Sequence, residues 1–334
     1  MKSKFKGFIV TQSEDNQFLG NVVEQDFSTL PEGDILIRVH YSSLNYKDAL
    51  SARGNRGVTR KFPHIPGIDA AGIVVKSNSD RILKDMPVLV TGFDLGMDTW
   101  GGFCEYICIP VDWVIPLPNG LTLKEAMILG TAGFTAALSV NALQAKIPPE
   151  AGEILVTGAT GGVGSLSIAI LAKLGYSVVA ASGKGDRHKF LKTCGANAMI
   201  ERKELEDITD KALLKARWAG AIDTVGGNIL GTIAKSLQYG GIVTTCGLVA
   251  GDRITTTIYP FILRGVSLIG IDSVQCPLSL RLLIWEKLAS EWKPEGLAEM
   301  ATAIGLSQLP EYITKILQGQ ITGRILVDVV NLQL

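Results

Sequence analysis

Residues 156–164 read Val-Thr-Gly-Ala-Thr-Gly-Gly-Val-Gly, directly after the apolar run Ile154-Leu155-Val156 and directly before an apolar helical pattern. This is the setting of a dinucleotide-binding turn: a strand, a glycine-rich corner, and a helix whose first amides face a pyrophosphate. Set against G-x-G-x-x-G, the turn gives Ala159-x-Gly161-x-x-Gly164, with alanine for the first glycine. Gly161 then admits the pyrophosphate to the backbone, and Gly164 lets the helix close on the strand. The next strand, SVVAA, ends in Ser182-Gly183-Lys184, with no carboxylate before Asp186. A carboxylate at that point would hold the ribose 2′-hydroxyl of NADH and repel the 2′-phosphate of NADPH. A hydroxyl and a cation suit the phosphate, and Arg202, after the third strand, offers a second cation. The expected cofactor is therefore NADPH; a solvated turn lysine is the alternative for Lys184 alone.

A second cluster lies near the start. Residues 47–61, KDALSARGNRGVTRK, carry Lys47, Arg53, Arg56, Arg60 and Lys61 against one acid, Asp48. Five cations in a chain of balanced charge, with 32 Lys plus Arg against 32 Asp plus Glu, could bind a phosphorylated substrate handle or form a solvated loop. The balance argues against a generally basic nucleic-acid binder. The five cysteines are too few and too scattered for a disulfide framework. Cys104 and Cys108, four apart on a strand, would stand about 13 Å apart, too far to share a metal. His40, His64 and His188 have no ligand-like spacing, so all eight read as structural residues.

The elements that must position these residues fall into two patterns. Residues 1–124 read as short strands: GDILIRVHYSSL places Ile35, Ile37, Val39 and Tyr41 on one face, and AAGIVVKS, MPVLVTGF and FCEYICIP are similar runs bounded by Gly or Pro. This predicts a mostly antiparallel, partly rolled β domain. A helix follows, with Thr122 as N-cap and Glu125 at the capping-box position. After Pro148-Pro149, strands and helices alternate, which means βαβ units and a parallel sheet. The third of these helices is expected to be short and polar, and the fourth to run to Tyr239. Residues 277–317 read as helical, and GRILVDVV as a strand returning to the first domain. The longest apolar stretch, Gly161 to Ser182, is broken by Lys173 and glycines, so no membrane span is expected. MKSKFKGFIVTQSED has only the short run GFIV before polar residues and no cleavable site, so the expected location is cytoplasmic.

This order resembles the medium-chain dehydrogenase/reductase superfamily over essentially the whole chain. Pro66-Gly67-Ile68-Asp69-Ala70-Ala71-Gly72 is similar to its P-G-x-E-x-x-G segment, with Asp for Glu. SLNYKDAL (43–50), GTAGFTA (130–136), SGK (182–184), PFILRGV (260–266) and GIDSV (270–274) resemble the zinc-independent quinone-oxidoreductase-like branch, and within it the NADPH-dependent acrylyl-CoA reductases. That group more often has Arg where this chain has Lys184. The resemblance implies an α/β fold: a GroES-like β-rich catalytic domain, residues 1–124 and 273–334, and a Rossmann domain, residues 125–272. It also implies cofactor contacts at Tyr46, Thr160, Gly161, Gly162, Val163, Ser182, Gly183, Lys184, Arg202, Leu248, Ile262 and Ser273. Zinc-dependent relatives use an early Cys and a G-H-E histidine; here the early segment is SSLNYKD, and Ile68 stands at the histidine position.

The implied reaction is hydride transfer from NADPH to the β-carbon of an α,β-unsaturated acyl-CoA such as acrylyl-CoA. Without zinc, the enolate oxygen needs a hydrogen-bond donor and the α-carbon a proton. Tyr46 is the first candidate for the donor or for positioning; the alternative is a cleft-wall aromatic. Asp48 is a second catalytic candidate, with a helix cap or ion-paired carboxylate as its alternative. Arg53, Arg56 and Arg60 are candidates for the CoA phosphates. An NADPH:quinone reductase and a non-catalytic NADPH-binding protein remain alternatives. The β-branched run VSLIGIDSV at the edge of the Rossmann unit points to a homodimer through edge pairing.

Overall fold

The computed structural model describes residues 3–330. The chain forms two compact units: residues 1–131, 274–289 and 296–334, and residues 132–273 and 290–295.

In chain order the first unit supplies β1 (Lys4–Gln12), β2 (Phe18–Asp26), β3 (Ile35–Leu44), α1 (Tyr46–Ala52), β4 (Asp69–Ser77), β5 (Pro87–Thr91), β6 (Tyr106–Ile109) and β7 (Ile115–Pro116). The expected alternation holds in β3, where Ile35, Ile37 and Val39 are buried. The alternation passes a first register shift, between Leu36 and Ile37, where the extra residue is on β4, and ends at a second, between Val39 and Tyr41, where the extra residue is His40 of β3. Beyond them Ser42, Ser43 and Leu44 are all buried, so this strand end carries polar groups into the interior. α1 is a helix inside a segment read only as strands and turns; at seven residues it is too short for a periodicity to register.

Helix α2 (Leu123–Gln144) opens as expected, with Glu125 accepting the Thr122 N–H at 2.9 Å and Thr122 Oγ1 accepting the Glu125 N–H at 3.1 Å. It is sharply kinked at Gly130, whose φ of 52° and ψ of −157° are open only to glycine. α2 also corrects the membrane reading. Among the described residues it, not residues 161–182, is the helix apolar and long enough to cross a bilayer, and 83% of its most apolar window is buried in the protein.

The second unit has β8 (Ile154–Val156), α3 (Gly162–Lys173), β9 (Val178–Ser182), α4 (His188–Thr193), β10 (Ala198–Glu201), β11 (Trp218–Asp223), α5 (Gly227–Ser236), β12 (Leu237–Thr245), α6 (Tyr259–Arg264) and β13 (Ser267–Gly270). Its sheet is all parallel, in the order β10-β9-β8-β11-β12-β13, with a crossover between β8 and β11. α3 stops where Gly175 takes φ 83°. α5 ends at Ser236, not Tyr239: Leu237 already pairs with Trp218 as the first residue of β12.

The last segments return to the first unit as α7 (Leu278–Ala289), β14 (Ala301–Ile304), α8 (Leu309–Leu317) and β15 (Arg324–Asp328). Residues 277–317 are thus not wholly helical. β14 pairs in parallel with β15, and β15 runs antiparallel to β3, giving a seven-stranded sheet β14-β15-β3-β4-β5-β7 with β6 attached to β3.

Candidate active site

In the second unit the glycine-rich turn lies at the C-terminal ends of the central strands, where ligands bind in open parallel sheets. Gly158 takes φ 54°, and a Cβ there would stand 2.2 Å from Thr224 Oγ1. A Cβ on Gly164 would be 2.4 Å from the Gly158 carbonyl oxygen, so α3 can approach β8 only with glycine at that position. At Gly161 the nearest atom to such a Cβ is the Gly158 oxygen at 3.3 Å, which leaves that side of the corner open. Gly161 is the N-cap of α3, and no side chain caps its first turn. The amides of that turn therefore await an acceptor, and the corner fits a pyrophosphate. Alanine replaces the first glycine of the fingerprint at Ala159, and Gly158, just before it, takes the left-handed turn.

Asp223, fully buried at the end of β11, was not anticipated. Its Oδ1 accepts from Thr157 Oγ1 at 2.8 Å, and its Oδ2 from the Gly226 N–H at 2.8 Å and Thr245 Oγ1 at 3.0 Å. One carboxylate thereby ties together the ends of β8, β11 and β12. Burial raises its pKa. Its sequence signal was an acid closing an otherwise apolar strand.

The Ser182 hydroxyl accepts the Lys184 N–H at 3.0 Å, folding 182–184 into a tight turn. Parallel pairing of Ser182 with Glu201 sets Arg202, the next residue, at the same edge. Arg202 is salt-bridged to Glu206 at 3.4 Å on the surface. Burial, and then the neighbouring Arg187, lower the Lys184 pKa. Leu248 follows β12 and Ile262 lies on α6; they are 67% and 64% exposed. Ser273 follows β13 and is half-buried.

In the first unit Tyr46 is the first residue of α1 and 40% exposed. Its neighbour Asn45 belongs to a largely buried polar cluster. Asp69 Oδ2 accepts from Ser43 Oγ at 2.5 Å, from Asn45 Nδ2 at 2.8 Å and from the Thr131 N–H at 2.9 Å; its Oδ1 accepts from Thr131 Oγ1 at 2.6 Å. Arg324 on β15 donates through Nε to the Ile128 carbonyl at 2.9 Å and through one terminal nitrogen to Asn45 Oδ1 at 3.3 Å. Its other terminal nitrogen is buried without a partner. The kink at Gly130 makes room for this cluster, because a Cβ there would meet Asp69 Oδ2 and Ser43 Oγ at 2.6 Å. Arg324 had no signal in sequence beyond standing at the start of a returning strand.

Asp48 takes the cap position that was its alternative reading. It is fully buried; its Oδ2 accepts the Asn45 N–H at 2.7 Å and its Oδ1 the Ile68 N–H at 2.8 Å. The arginine cluster is also partly committed. Arg53 donates to Thr314 Oγ1 on α8 at 2.7 Å. Arg56 donates to the Arg60 carbonyl and to Gln12 Oε1 and lies over the Phe18 and Phe62 rings. The Arg60 amide donates to Asp98 at 2.9 Å, and the residue is exposed.

Among the described residues no three His, Cys, Asp or Glu side chains converge on a possible metal position. Cys104 and Cys194 are buried, and burial pushes both thiols up to about 12, far from the thiolate a zinc ion binds. Asp69 already accepts from four donor atoms. These residues do not make a zinc site.

A dinucleotide turn on a parallel sheet, together with a mixed-sheet unit bearing an exposed tyrosine on a buried acid cluster, defines a two-unit dinucleotide oxidoreductase. Residues 31–119 match the alcohol dehydrogenase GroES-like domain and residues 162–285 the zinc-binding dehydrogenase domain. The chain is 46% identical over 324 residues to YhfP of Bacillus subtilis (strain 168), named for quinone oxidoreductase activity, covering 96% of this chain and 98% of that one. The YhfP structure with NAD bound has a TM-score of 0.95 at 43% identity, covering 98% of this chain and all of that one. Acrylyl-CoA reductase AcuI of Ruegeria pomeroyi is 41% identical over 327 residues, 97% of this chain and 99% of that one. YhdH of Escherichia coli K-12, with bound NADPH, has a TM-score of 0.93 at 45% identity, covering 96% and 99%. The chain belongs to the medium-chain dehydrogenase/reductase family, in its acrylyl-CoA reductase-like group.

Proposed function

We propose that this protein is an NADPH-dependent reductase of α,β-unsaturated acyl-CoA thioesters of the acrylyl-CoA type. The observation that carries the reading is the exposed Tyr46, next in the chain to a largely buried hydrogen-bond cluster, in a chain with a dinucleotide turn. The open corner at Gly161, the uncapped first turn of α3, and Ser182 with Lys184 would hold the pyrophosphate and 2′-phosphate of NADPH. Bound there, NADPH supplies a hydride for the β-carbon of the thioester.

The chain's own residues must then stabilise the oxygen on which negative charge develops. Tyr46 has a hydroxyl donor for that oxygen. Burial of the Asp69 cluster beneath it keeps the segment from reorganising as charge develops, which is what makes such a donor effective. Arg324, a buried guanidinium in the same cluster, adds positive potential under this segment. Asp48 is not assigned the proton transfer to the α-carbon, because both its oxygens are occupied by backbone amides.

Arg60, exposed on the 47–61 loop, is the best placed of the arginines for CoA phosphates; Arg53 and Arg56 contribute less, since each already has internal partners. β13, at the edge of the parallel sheet, is the strand through which two copies would pair into a homodimer. The test is a turnover screen under NADPH across short enoyl-CoA thioesters and benzoquinones. Efficient reduction of acrylyl-CoA with weak quinone turnover is expected; the reverse order would transfer the assignment to a quinone reductase.

A further inference from the structure

Burying a carboxylate is costly, and an N-terminal cap does not require it. Asp48 is instead fully buried, and its two oxygens serve two different chain segments: the N-cap Asn45 at 2.7 Å and Ile68, immediately before β4, at 2.8 Å. Asn45 in turn is held through its side chain by Asp69 and Arg324. Tyr46 and Lys47 lie between these anchors. We propose that Asp48 is a positioning residue for Tyr46: its carboxylate clamps the first turn of α1 to the approach of β4 and so fixes where the Tyr46 hydroxyl points. This rests on the role given to Tyr46 above.

The clamp needs the carboxylate form. Both partners are N–H donors, so an amide or a protonated acid would turn a donor toward one of them and lose that bond. The charged groups around Asp48 are Asp69 from β4 and Arg324 from β15. Lys47 shares its helix and Arg53 is that helix's C-cap, and α8 reaches it through Thr314, on Arg53. Burial, followed by repulsion from Asp69, pushes Asp48 up to about 7 against the two amide bonds. The clamp is therefore closed above neutrality and loosened below it.

The experiment uses the full chain labelled with tyrosine carrying carbon-13 in its ring. The Tyr46 resonance is identified by its loss in Tyr46→Phe, and spectra are followed across the neutral range. A step in the Tyr46 shift centred at about 7 is expected, absent in Asp48→Asn and displaced in Asp48→Glu. In parallel, wild-type kcat on acrylyl-CoA should fall about tenfold from one pH unit above that midpoint to one below, and this acid limb should vanish in Asp48→Asn, with the Kd for NADPH unchanged. No step in the wild type, or the same step and limb in both variants, overturns the proposal. Should the step appear while no thioester is reduced, the function assigned to Tyr46 fails and the clamp stands. Turnover with an unaltered limb in Asp48→Asn removes the clamp and leaves the function.

Discussion

Replacing Lys184 with alanine removes one cation from the end of β9 and leaves the turn intact, because Ser182 holds the backbone N–H of residue 184 and not its side chain. The ammonium group is half-buried, and its pKa is lowered first by burial and then by Arg187. A cation already short of water and facing a like charge gains from an added anion more than a freely solvated lysine does. One charge-assisted contact to a phosphate is worth about 1.5–3 kcal/mol, which corresponds to about 10- to 150-fold in Kd. Lys184→Ala should weaken NADPH binding within that range and leave the Kd for NADH nearly unchanged, both measured by fluorescence titration of the same preparations. NADPH affinity of the wild type should also fall more steeply with added salt than that for NADH, which shares the pyrophosphate and lacks the 2′-phosphate. Lys184→Arg should tighten NADPH, since guanidinium grips phosphate through two parallel bonds and ammonium through one. Because the related YhfP was crystallised with NAD, the comparison of the two cofactors is the discriminating one. Equal losses for NADH and NADPH in Lys184→Ala, or equal wild-type affinity for both, would refute the assignment of the 2′-phosphate site.

Tyr46→Phe should lower kcat and kcat/KM on acrylyl-CoA together by about 10²-fold, the scale of a lost oxyanion donor, with the Kd for NADPH unchanged; an unaltered kcat makes Tyr46 a wall residue. Arg60→Ala should raise KM for the CoA thioester and not for a small quinone, and equal effects on both would remove the phosphate role from that loop. Gly164→Ala forces a methyl group against the Gly158 backbone and should cost about 1–3 kcal/mol of stability, read as a lower Tm, together with weaker NADPH binding as α3 moves off β8. Asp48 gives a stability prediction of definite sign. Its folded pKa of about 7 lies above its ordinary value of 3.8, so the native state holds the proton more tightly than the unfolded chain does. Its contribution is most favourable below the ordinary value and is lost as pH rises toward 7. The Tm of Asp48→Asn relative to wild type should therefore improve as pH rises over this window, and a relative Tm independent of pH would refute the shift.

The dinucleotide turn was legible because its chemistry is local: strand, glycines and helix lie within one continuous stretch, and Gly161 and Gly164 both answer to the Gly158 carbonyl a few residues away, although Gly158 itself is crowded by the distant Thr224. The capping box of Thr122 and Glu125 and the return of β15 to the first unit were legible for similar reasons, one from residues three apart, the other from an isolated apolar run. What sequence could not show depends on residues far apart in the chain. Gly130 bends α2 because Ser43, Asp69 and Arg324 fill the space inside the bend, and none of these is within sixty residues of it. The end of α5 was misplaced because Leu237 extends an apolar helical period while its backbone pairs with Trp218 on β11. The arginines looked like a free cationic patch until Arg56 proved to lie over two phenylalanine rings.

The same cluster explains how this chain keeps a shaped segment around Tyr46 without the histidine and cysteine of the zinc-dependent members it resembles. A metal ion fixes its ligands by drawing several side chains to one point. Here Asp69 is that point: Ser43, Asn45 and Thr131 all donate to it, from the end of β3, the start of α1 and the bend of α2. A single buried carboxylate would be too costly alone. The nearby Arg324 guanidinium supplies the opposite charge, and Asp69's influence on it counters the desolvation of its buried cation. Ile68 follows from this, since a side chain that ligates nothing can be apolar, while its amide is kept for Asp48. Removing one partner should be worse than removing the pair, because a lone buried charge is left behind: Arg324→Met should destabilise the protein by about 3–5 kcal/mol, and Arg324→Met with Asp69→Asn by less. A double-mutant cycle read by thermal unfolding, with NADPH binding as the control for the second unit, decides this; additive losses would show that the two charges do not act together.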